Sequence, residues 1–197
     1  MAARLRLERL TGEALQARLD DVARLRCEVF REWPYLYDGD PGYERAYLAK
    51  LAEADGLVVA ALEGDRAVGV STAMPLAQAD EAFRQPFERA AAFDVDAYYY
   101  LAESVLLPER RGQGIGVRFF EEREAVVRER GFMRTCFCAV VRRENHPARP
   151  DGYEPLDAFW RRRGYAPLEG MTATFDWREV GAGEETDHIM QFWSREL

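Results

Sequence analysis

Cysteine, histidine and lysine are scarce in this chain, and the first two scarcities exclude whole classes of protein. There are three cysteines, an odd number, and Cys136 and Cys138 lie two apart in an apolar run. A strand with that spacing points both thiols to one side rather than at each other. A disulfide framework is not expected, and with His146 and His188 as the only imidazoles neither is a zinc site. The thiols read as small buried hydrophobes of a metal-free protein in a reducing compartment. No apolar stretch approaches the roughly 18–20 residues that span a bilayer. The start, Met1-Ala2-Ala3-Arg4-Leu5-Arg6, lacks the apolar run of a secretory leader, so a cytoplasmic protein without membrane contact is expected. Lysine occurs once, as Lys50, among 27 basic residues, a bias from which no function follows.

Positive charge is also in deficit. The net charge of −8 argues against a broad nucleic-acid grip. It is unevenly spread: residues 1–100 carry −6 and residues 151–197 carry −5, whereas residues 101–150 carry +3. One positive segment in an acidic chain suits a small polyanion such as a phosphorylated cofactor.

What is present is enough for one domain spanning residues 1–197: 48% of the residues are hydrophobic, which supports a sizeable core. Leu5 to Leu10 alternates as a half-exposed strand does. A helix follows from Thr11-Gly12, with Leu15, Leu19, Val22, Leu25 and Val29 at helical spacing, and stops at Trp33-Pro34. After a loop comes a second helix around Tyr43–Glu53, then a hairpin of residues 56–62 and 67–74. An Ala-rich segment, 77–93, reads as helical in part. Tyr98 to Leu107 reads as one long strand, Ile115 to Arg130 as a helix, and Phe132 to Val141 as a central strand covered on both faces. A polar loop, a short helix at 156–163 and strands at 171–177 and 188–194 close the chain. The order predicts an α/β (α+β) fold: a mixed, mostly antiparallel sheet of about six or seven strands with helices on both faces.

The informative segment runs Glu103-Ser104-Val105-Leu106-Leu107-Pro108-Glu109-Arg110-Arg111-Gly112-Gln113-Gly114-Ile115-Gly116. A strand enters a glycine turn that opens directly into a helix. Glycine lets bare backbone approach a ligand, and a helix start offers unsatisfied N–H groups and positive potential to phosphate. A P-loop would close with Gly-Lys-Ser/Thr, but Val117-Arg118 follow Gly116. A dinucleotide fingerprint belongs to the first strand–helix unit with an acid after the next strand, whereas this turn lies past the midpoint and the next strand ends in Arg142-Arg143.

Arg111-Gly112-Gln113-Gly114-Ile115-Gly116 resembles the Arg/Gln-x-x-Gly-x-Gly/Ala signature of the GCN5-related N-acetyltransferase (GNAT) superfamily. The likeness extends over about residues 56–165, including Phe159-Trp160-Arg161-Arg162-Arg163-Gly164-Tyr165 near the family's late helix. The resemblance implies acetyl-CoA as cosubstrate, and the scattered histidines and same-face cysteines imply no metal. The turn's amides, around Gln113, Gly114 and Gly116, would hold the pyrophosphate, with Arg111, Gly112 and Ile115 completing the turn. Val105, Leu106 and Leu107 would pair through their backbone with the pantetheine arm, in a gap between the strands at 98–107 and 132–141. Transfer would be direct, from thioester to amine, with no covalent enzyme intermediate.

An alkyl amine is protonated near neutral pH and must lose a proton before it attacks. Glu103, the one acid inside the long strand, stands where family members often carry a carboxylate, and is the candidate base or ammonium-binding group. The family's usual tyrosine acid would fall at Trp160, and indole is no acid; Tyr153, Tyr165 or one of Tyr98–Tyr100, or solvent, could replace it. By resemblance the acceptor would meet the first-helix region, where Tyr35 and Tyr37, with Trp33, Asp38 and Asp40, could hold a cationic amine. Ser104, Cys136 and Cys138 have no histidine nearby in sequence to make a nucleophile. The reading is an acetyl-CoA-dependent N-acetyltransferase acting on a small-molecule or peptide amine. A non-catalytic CoA-binding module, or transfer to a hydroxyl or of longer acyl chains, is the alternative, and a homodimer is left open.

Overall fold

The structure, a computed structural model, describes residues 5–197; residues 1–4, where the reading of a missing leader begins, lie outside it. Strand β1 (Leu5–Leu10) leads into α1 (Gly12–Gln16) and α2 (Leu19–Phe30). The helix expected to run unbroken from residue 12 is divided at Ala17-Arg18, where the Arg18 guanidinium donates to Asp65 O at 2.8 Å. Helix α3 (Pro41–Glu53) starts with proline in its first turn, and its N-cap Asp40 accepts from Tyr43 N at 2.8 Å. That satisfies one of the orphan N–H groups of a helix start.

Strands β2 (Leu57–Glu63) and β3 (Arg66–Pro75) form the expected hairpin, followed by α4 (Glu81–Arg89). Next come β4 (Tyr98–Tyr100), β5 (Ser104–Leu106), α5 (Ile115–Glu129), β6 (Arg134–Val140), α6 (Asp157–Arg162), β7 (Ala166–Arg178) and β8 (Glu185–Glu196). The sheet runs β1-β2-β3-β4-β6-β8-β7, with β5 paired only to β3. All pairings are antiparallel except β4 with β6. Eight strands replace six or seven because Tyr98–Leu107 is two short strands, not one long one. No helix among the described residues is long and apolar enough to cross a membrane.

Both faces of the sheet are covered, and the period of two along β4 shows how. Tyr99 joins Ala73, Phe120, Val127, Phe137 and Trp193 in a cluster under α5 and α6. Tyr98 and Tyr100 turn the other way, their rings 5.1 Å from Phe87 and 4.8 Å from Phe83 of α4. Strand β2 is buried along Leu57–Leu62, as a strand covered on both faces should be.

The break between β4 and β5 is a β-bulge. Ala102 N donates to Thr72 O at 3.1 Å, and Thr72 N donates to Glu103 O at 2.9 Å, so two residues of one strand face one of its neighbour. Before the bulge, Leu101 N donates to Cys136 O of β6 at 2.8 Å. Beyond it, β5 keeps its register with β3 alone, Val105 opposite Val70 and Leu106 opposite Gly69. A Cβ at Gly69 would stand 2.5 Å from Leu106 Cδ1 and 3.0 Å from Val105 O, so glycine leaves the Leu106 side chain room to lie over β3. With Leu107 N donating to Val68 O at 3.0 Å, alternate residues Ser104 and Leu106 turn their peptide groups to the other edge, which no strand covers.

Candidate active site

Immediately after that uncovered edge comes the glycine turn. Gly112 and Gly114 have φ of 75° and 77°, a conformation that costs other residues roughly 1–2 kcal/mol. A Cβ at either would meet nothing within 4 Å, so backbone conformation rather than crowding selects glycine. Gly114 is the N-cap of α5, no side chain caps the helix, and its first turn holds no acid. The first N–H groups of a 15-residue helix therefore point outward beside two cations. Arg111 donates through Nε to Leu106 O at 3.2 Å and pairs with Glu32 at 2.8 Å; Arg110 pairs with Glu63 at 2.8 Å. Gln113 folds back onto Glu109 O at 3.1 Å, leaving its own backbone free of that bond. This donor set, cationic and without a carboxylate in the helix's first turn, fits a pyrophosphate.

The other side of the bulge is built from side chains. Glu103 does not face solvent: its side chain is 8% exposed, and Arg26 Nη1 of α2 lies 2.5 Å from its Oε1. The same guanidinium donates through Nε to Glu44 of α3, whose side chain is fully buried, and it lies 4.9 Å above the Tyr47 ring. Burial alone would weaken the charge on Arg26, but Glu103 and Glu44 together raise its pKa. Two carboxylates thus share one guanidinium. Glu44 Oε1 is buried without a hydrogen-bond partner. Burial, then contact with Glu44, pushes the Tyr37 hydroxyl up.

From the α5 face a second buried arginine closes the bulge. Arg123 is 1% exposed and donates to Phe119 O at 3.2 Å, Thr72 O at 3.2 Å and Glu103 O at 3.3 Å. With carbonyls rather than carboxylates bonded to it, burial pushes its pKa down to about 10. The guanidinium ties the helix that starts at the glycine turn to the residue where the strand divides.

Tyr35 and Tyr37 lie in a stiffly held loop. Val180 N donates to Leu36 O at 2.7 Å and Asp38 N to Arg178 O at 2.9 Å, while Arg142 grips Pro34 O at 2.6 Å, Tyr35 O at 2.9 Å and Glu179 Oε1 at 2.5 Å. The Tyr35 ring packs 4.7 Å from Phe30 and 6.1 Å from Trp177. Its hydroxyl is pushed up by burial, with Cys138, the Val140 backbone and Glu103 nearby. Asp38 and Asp40 are already engaged, Asp38 by Arg31 at 2.6 Å and Arg178 at 3.2 Å, Asp40 as the cap of α3.

Among the tyrosines weighed as acids, Tyr165 donates to Glu124 at 3.1 Å and accepts from Thr135 at 3.0 Å, Tyr99 meets Arg130, and Tyr100 lies 3.3 Å from Cys138 Sγ. Tyr153 is half-buried, its ring 5.8 Å from Trp33. Trp160, half-buried, packs 5.0 Å from Phe137 and 5.1 Å from Trp193 at the edge of the core. Burial pushes the Cys138 thiol up to about 12, which keeps it from being a thiolate nucleophile.

The profile of the acetyltransferase (GNAT) family matches residues 20–165. The chain belongs to that family. No curated protein sequence matches it. Among solved structures, GNAT relatives share the fold. A ribosomal-protein-alanine N-acetyltransferase from Brucella melitensis is 15% identical with a TM-score of 0.61, over 98% of this chain and 99% of that one. The PaiA N-acetyltransferase from Thermoplasma acidophilum, in complex with coenzyme A, is 14% identical with a TM-score of 0.54 over 98% and 99%. YncA from Salmonella typhimurium, with its cofactor acetyl-CoA, is 12% identical with a TM-score of 0.58 over 99% and 95%. The bulged strand, the glycine turn and helix α5 all lie inside the GNAT-matched segment.

The sequence reading missed Arg26, Glu44, Tyr47 and Arg123. A signal for three of them was available. Arg26 follows Leu19, Val22 and Ala23 on the buried stripe of α2, Glu44 precedes Leu48 and Leu51 on that of α3, and Arg123 stands between Phe119 and Val127 on that of α5. A charge at an apolar position of a helix's period is a buried charge in need of a partner.

Proposed function

We propose that this GNAT acetyltransferase moves an acetyl group from acetyl-CoA to an amine, with the cosubstrate along β5 and the amine on the Glu103 side of the bulge. The observation that carries this reading is the uncovered edge of β5, followed after one short turn at Pro108–Arg110 by the glycines and the uncapped start of α5. Val105, Leu106 and Leu107 form that strand end, where the Leu106 carbonyl on the uncovered edge accepts from Arg111 Nε. Arg111, Gly112, Gln113, Gly114, Ile115 and Gly116 form the pyrophosphate cradle. Bound there, acetyl-CoA supplies the acyl thioester.

The chain's own contribution is to hold an ammonium and take its proton. Glu103 is the carboxylate that meets the acceptor. Arg26 shares its charge, so Glu103 orients the amine at least as much as it accepts the proton. Tyr35 walls the acceptor side, Tyr37 steadies Glu44, and Tyr153 Oη is the candidate that holds the proton for the leaving group. The free thiols of Cys27, Cys136 and Cys138 agree with a cytoplasmic setting.

Thiol release from acetyl-CoA over a panel of amines tests this, with CoA affinity measured in parallel. Amine-dependent release is expected. Affinity without release would leave a CoA-binding module, the reading favoured by Trp160 in place of an acid. Glu103→Gln should lower turnover by about 10²–10⁴-fold if the carboxylate is the base, with recovery at high pH. If it holds the ammonium, the defect falls mainly on the acceptor KM and high pH does not rescue it.

A further inference from the structure

The edge of β5 that no strand covers is crossed by one side chain. Arg111, directly after the short turn that follows β5, reaches back along it. Its Nε donates to Leu106 O at 3.2 Å, and its Nη2 lies 2.8 Å from Glu32 Oε2. Glu32 stands just past the end of α2, where its N–H donates to Val29 O at 3.2 Å and its carbonyl accepts from Leu36 N at 2.9 Å. The carboxylate is thus carried on a backbone bonded on both sides, at the root of the loop that holds Tyr35. One guanidinium spans from β5 to the end of α2.

The neighbouring cation is placed differently, since Arg110 pairs with Glu63 at the end of β2. Arg111 and Glu32 are 47% and 42% exposed, so their pair is wet enough to open. An exposed ion pair shifts an equilibrium by no more than about fivefold. A phosphate that takes two parallel bonds from the same fork, with more charge than a carboxylate, holds a guanidinium more strongly. Carboxylate and pyrophosphate therefore compete for one cation, and the winner decides whether Leu106 O is free to pair.

We propose that Arg111 is a strap across the cofactor edge, that Glu32 holds it there, and that the pyrophosphate of CoA takes it from Glu32. Glu32 thereby sets the affinity of the cofactor site, acting through Arg111 rather than on the cofactor. The inference rests on the reading that CoA lies along β5 with its pyrophosphate at the glycine turn. It adds a cost to that binding, because both contacts of Arg111 with the chain must open before the edge can pair. Removing the carboxylate lowers that cost and leaves the guanidinium in place for the phosphate.

Calorimetric titration of the whole chain at low salt, with CoA and with dephospho-CoA, tests this. Glu32→Gln should bind both about three- to fivefold tighter than the wild type, a gain of affinity from the loss of a charged group. The gain should be equal for the two ligands, which share the pyrophosphate, and should shrink as salt is raised. In the Arg111→Ala background Glu32→Gln should leave affinity within about twofold, because the cation competed for is gone. The Nε–H resonance of Arg111, identified by its loss in Arg111→Ala, should shift on addition of CoA. Unchanged or weaker CoA binding in Glu32→Gln overturns the proposal. So does a gain that survives undiminished in the Arg111→Ala background, which would be the field of one lost anion. A gain confined to CoA overturns it by putting Arg111 on the ribose phosphate, and an unmoved Arg111 resonance at saturating CoA does so directly. No CoA binding in any variant overturns the cofactor placement and the strap together. The expected pattern of CoA affinities without thiol release to any amine supports the strap and sinks acetyl transfer.

Discussion

The two sides of the bulge are built by opposite means. On the side proposed for the cofactor the groups on offer are peptides: the edge of β5, then Gly112 and Gly114 in the left-handed region and an uncapped helix start. All of it comes from one continuous stretch of chain. On the side proposed for the acceptor the groups are side chains from α2, α3 and the bulge itself, with Arg26, Glu44 and Glu103 between 18 and 77 residues apart in sequence. A backbone site depends on local conformation and tolerates neighbours changing. A buried charge cluster depends on every member being present, because removing one leaves the others desolvated and unpaired.

That contrast makes the acceptor side the more fragile. Replacing Arg26 with Met should cost about 3–5 kcal/mol of stability, since Glu44 and Glu103 would be left buried without their cation. Adding Glu44→Gln to that variant should recover about 0.5–3 kcal/mol rather than adding a second loss. Urea unfolding of the single and double variants reads both. A loss below about 1 kcal/mol for Arg26→Met, within the range of a surface pair, would show that the cluster is not coupled as described.

The cofactor side should break in affinity before it breaks in stability. Gly114→Val forces a branched side chain into the left-handed region, which turns the peptides away and removes one or two bonds to a charged group at about 1.5–3 kcal/mol each. CoA binding should weaken by an order of magnitude or more while the strain on folding stays near 1–2 kcal/mol. Unchanged CoA affinity in a folded Gly114→Val protein would falsify the cradle. Arg111→Ala should do less, about a few-fold, because its guanidinium is 47% exposed and must leave Glu32 to meet a phosphate. That loss should shrink as salt is raised.

The smallest effect concerns the wall behind Tyr35. His188 is stacked 3.6 Å from Trp177, and burial, then Arg142, lowers its pKa from 6.5. The unfolded chain therefore takes up this proton more readily than the folded one. Its contribution to stability is full above about pH 6.5 and is lost as pH falls through and below that value. Melting temperatures measured from pH 8 to 5 should fall more steeply for the wild type than for His188→Gln; parallel curves would remove the histidine from this role.

How much of this was legible beforehand follows the same division. The glycine turn could be read at once because Gly112, Gly114 and the Pro108 that precedes them encode their conformations locally. Strand and helix positions followed from periodicity, and β6 was recognisable as doubly covered from the apolar run Cys136–Val140. The division of Tyr98–Leu107 could not be read, since no glycine or proline interrupts the ten residues and the bulge exists only through the bonds of Ala102 and Glu103 to a single residue, Thr72. Glu103 stood out as an acid in a strand, but its neighbours did not, because a partner 77 residues away leaves no local trace.

By itself, then, the sequence determined the order of elements, the glycine turn and the family, all of which rest on short-range backbone preference and the spacing of apolar side chains. The tertiary structure decided the strand break, the sharing of Arg26 between two carboxylates, the diversion of Asp38 and Asp40 to structural partners, and the reach of Arg111 from Leu106 to Glu32. The reason is physical. Backbone conformation is set within a few residues, whereas the cost of burying a charge is set by whatever the fold brings within a few ångströms of it.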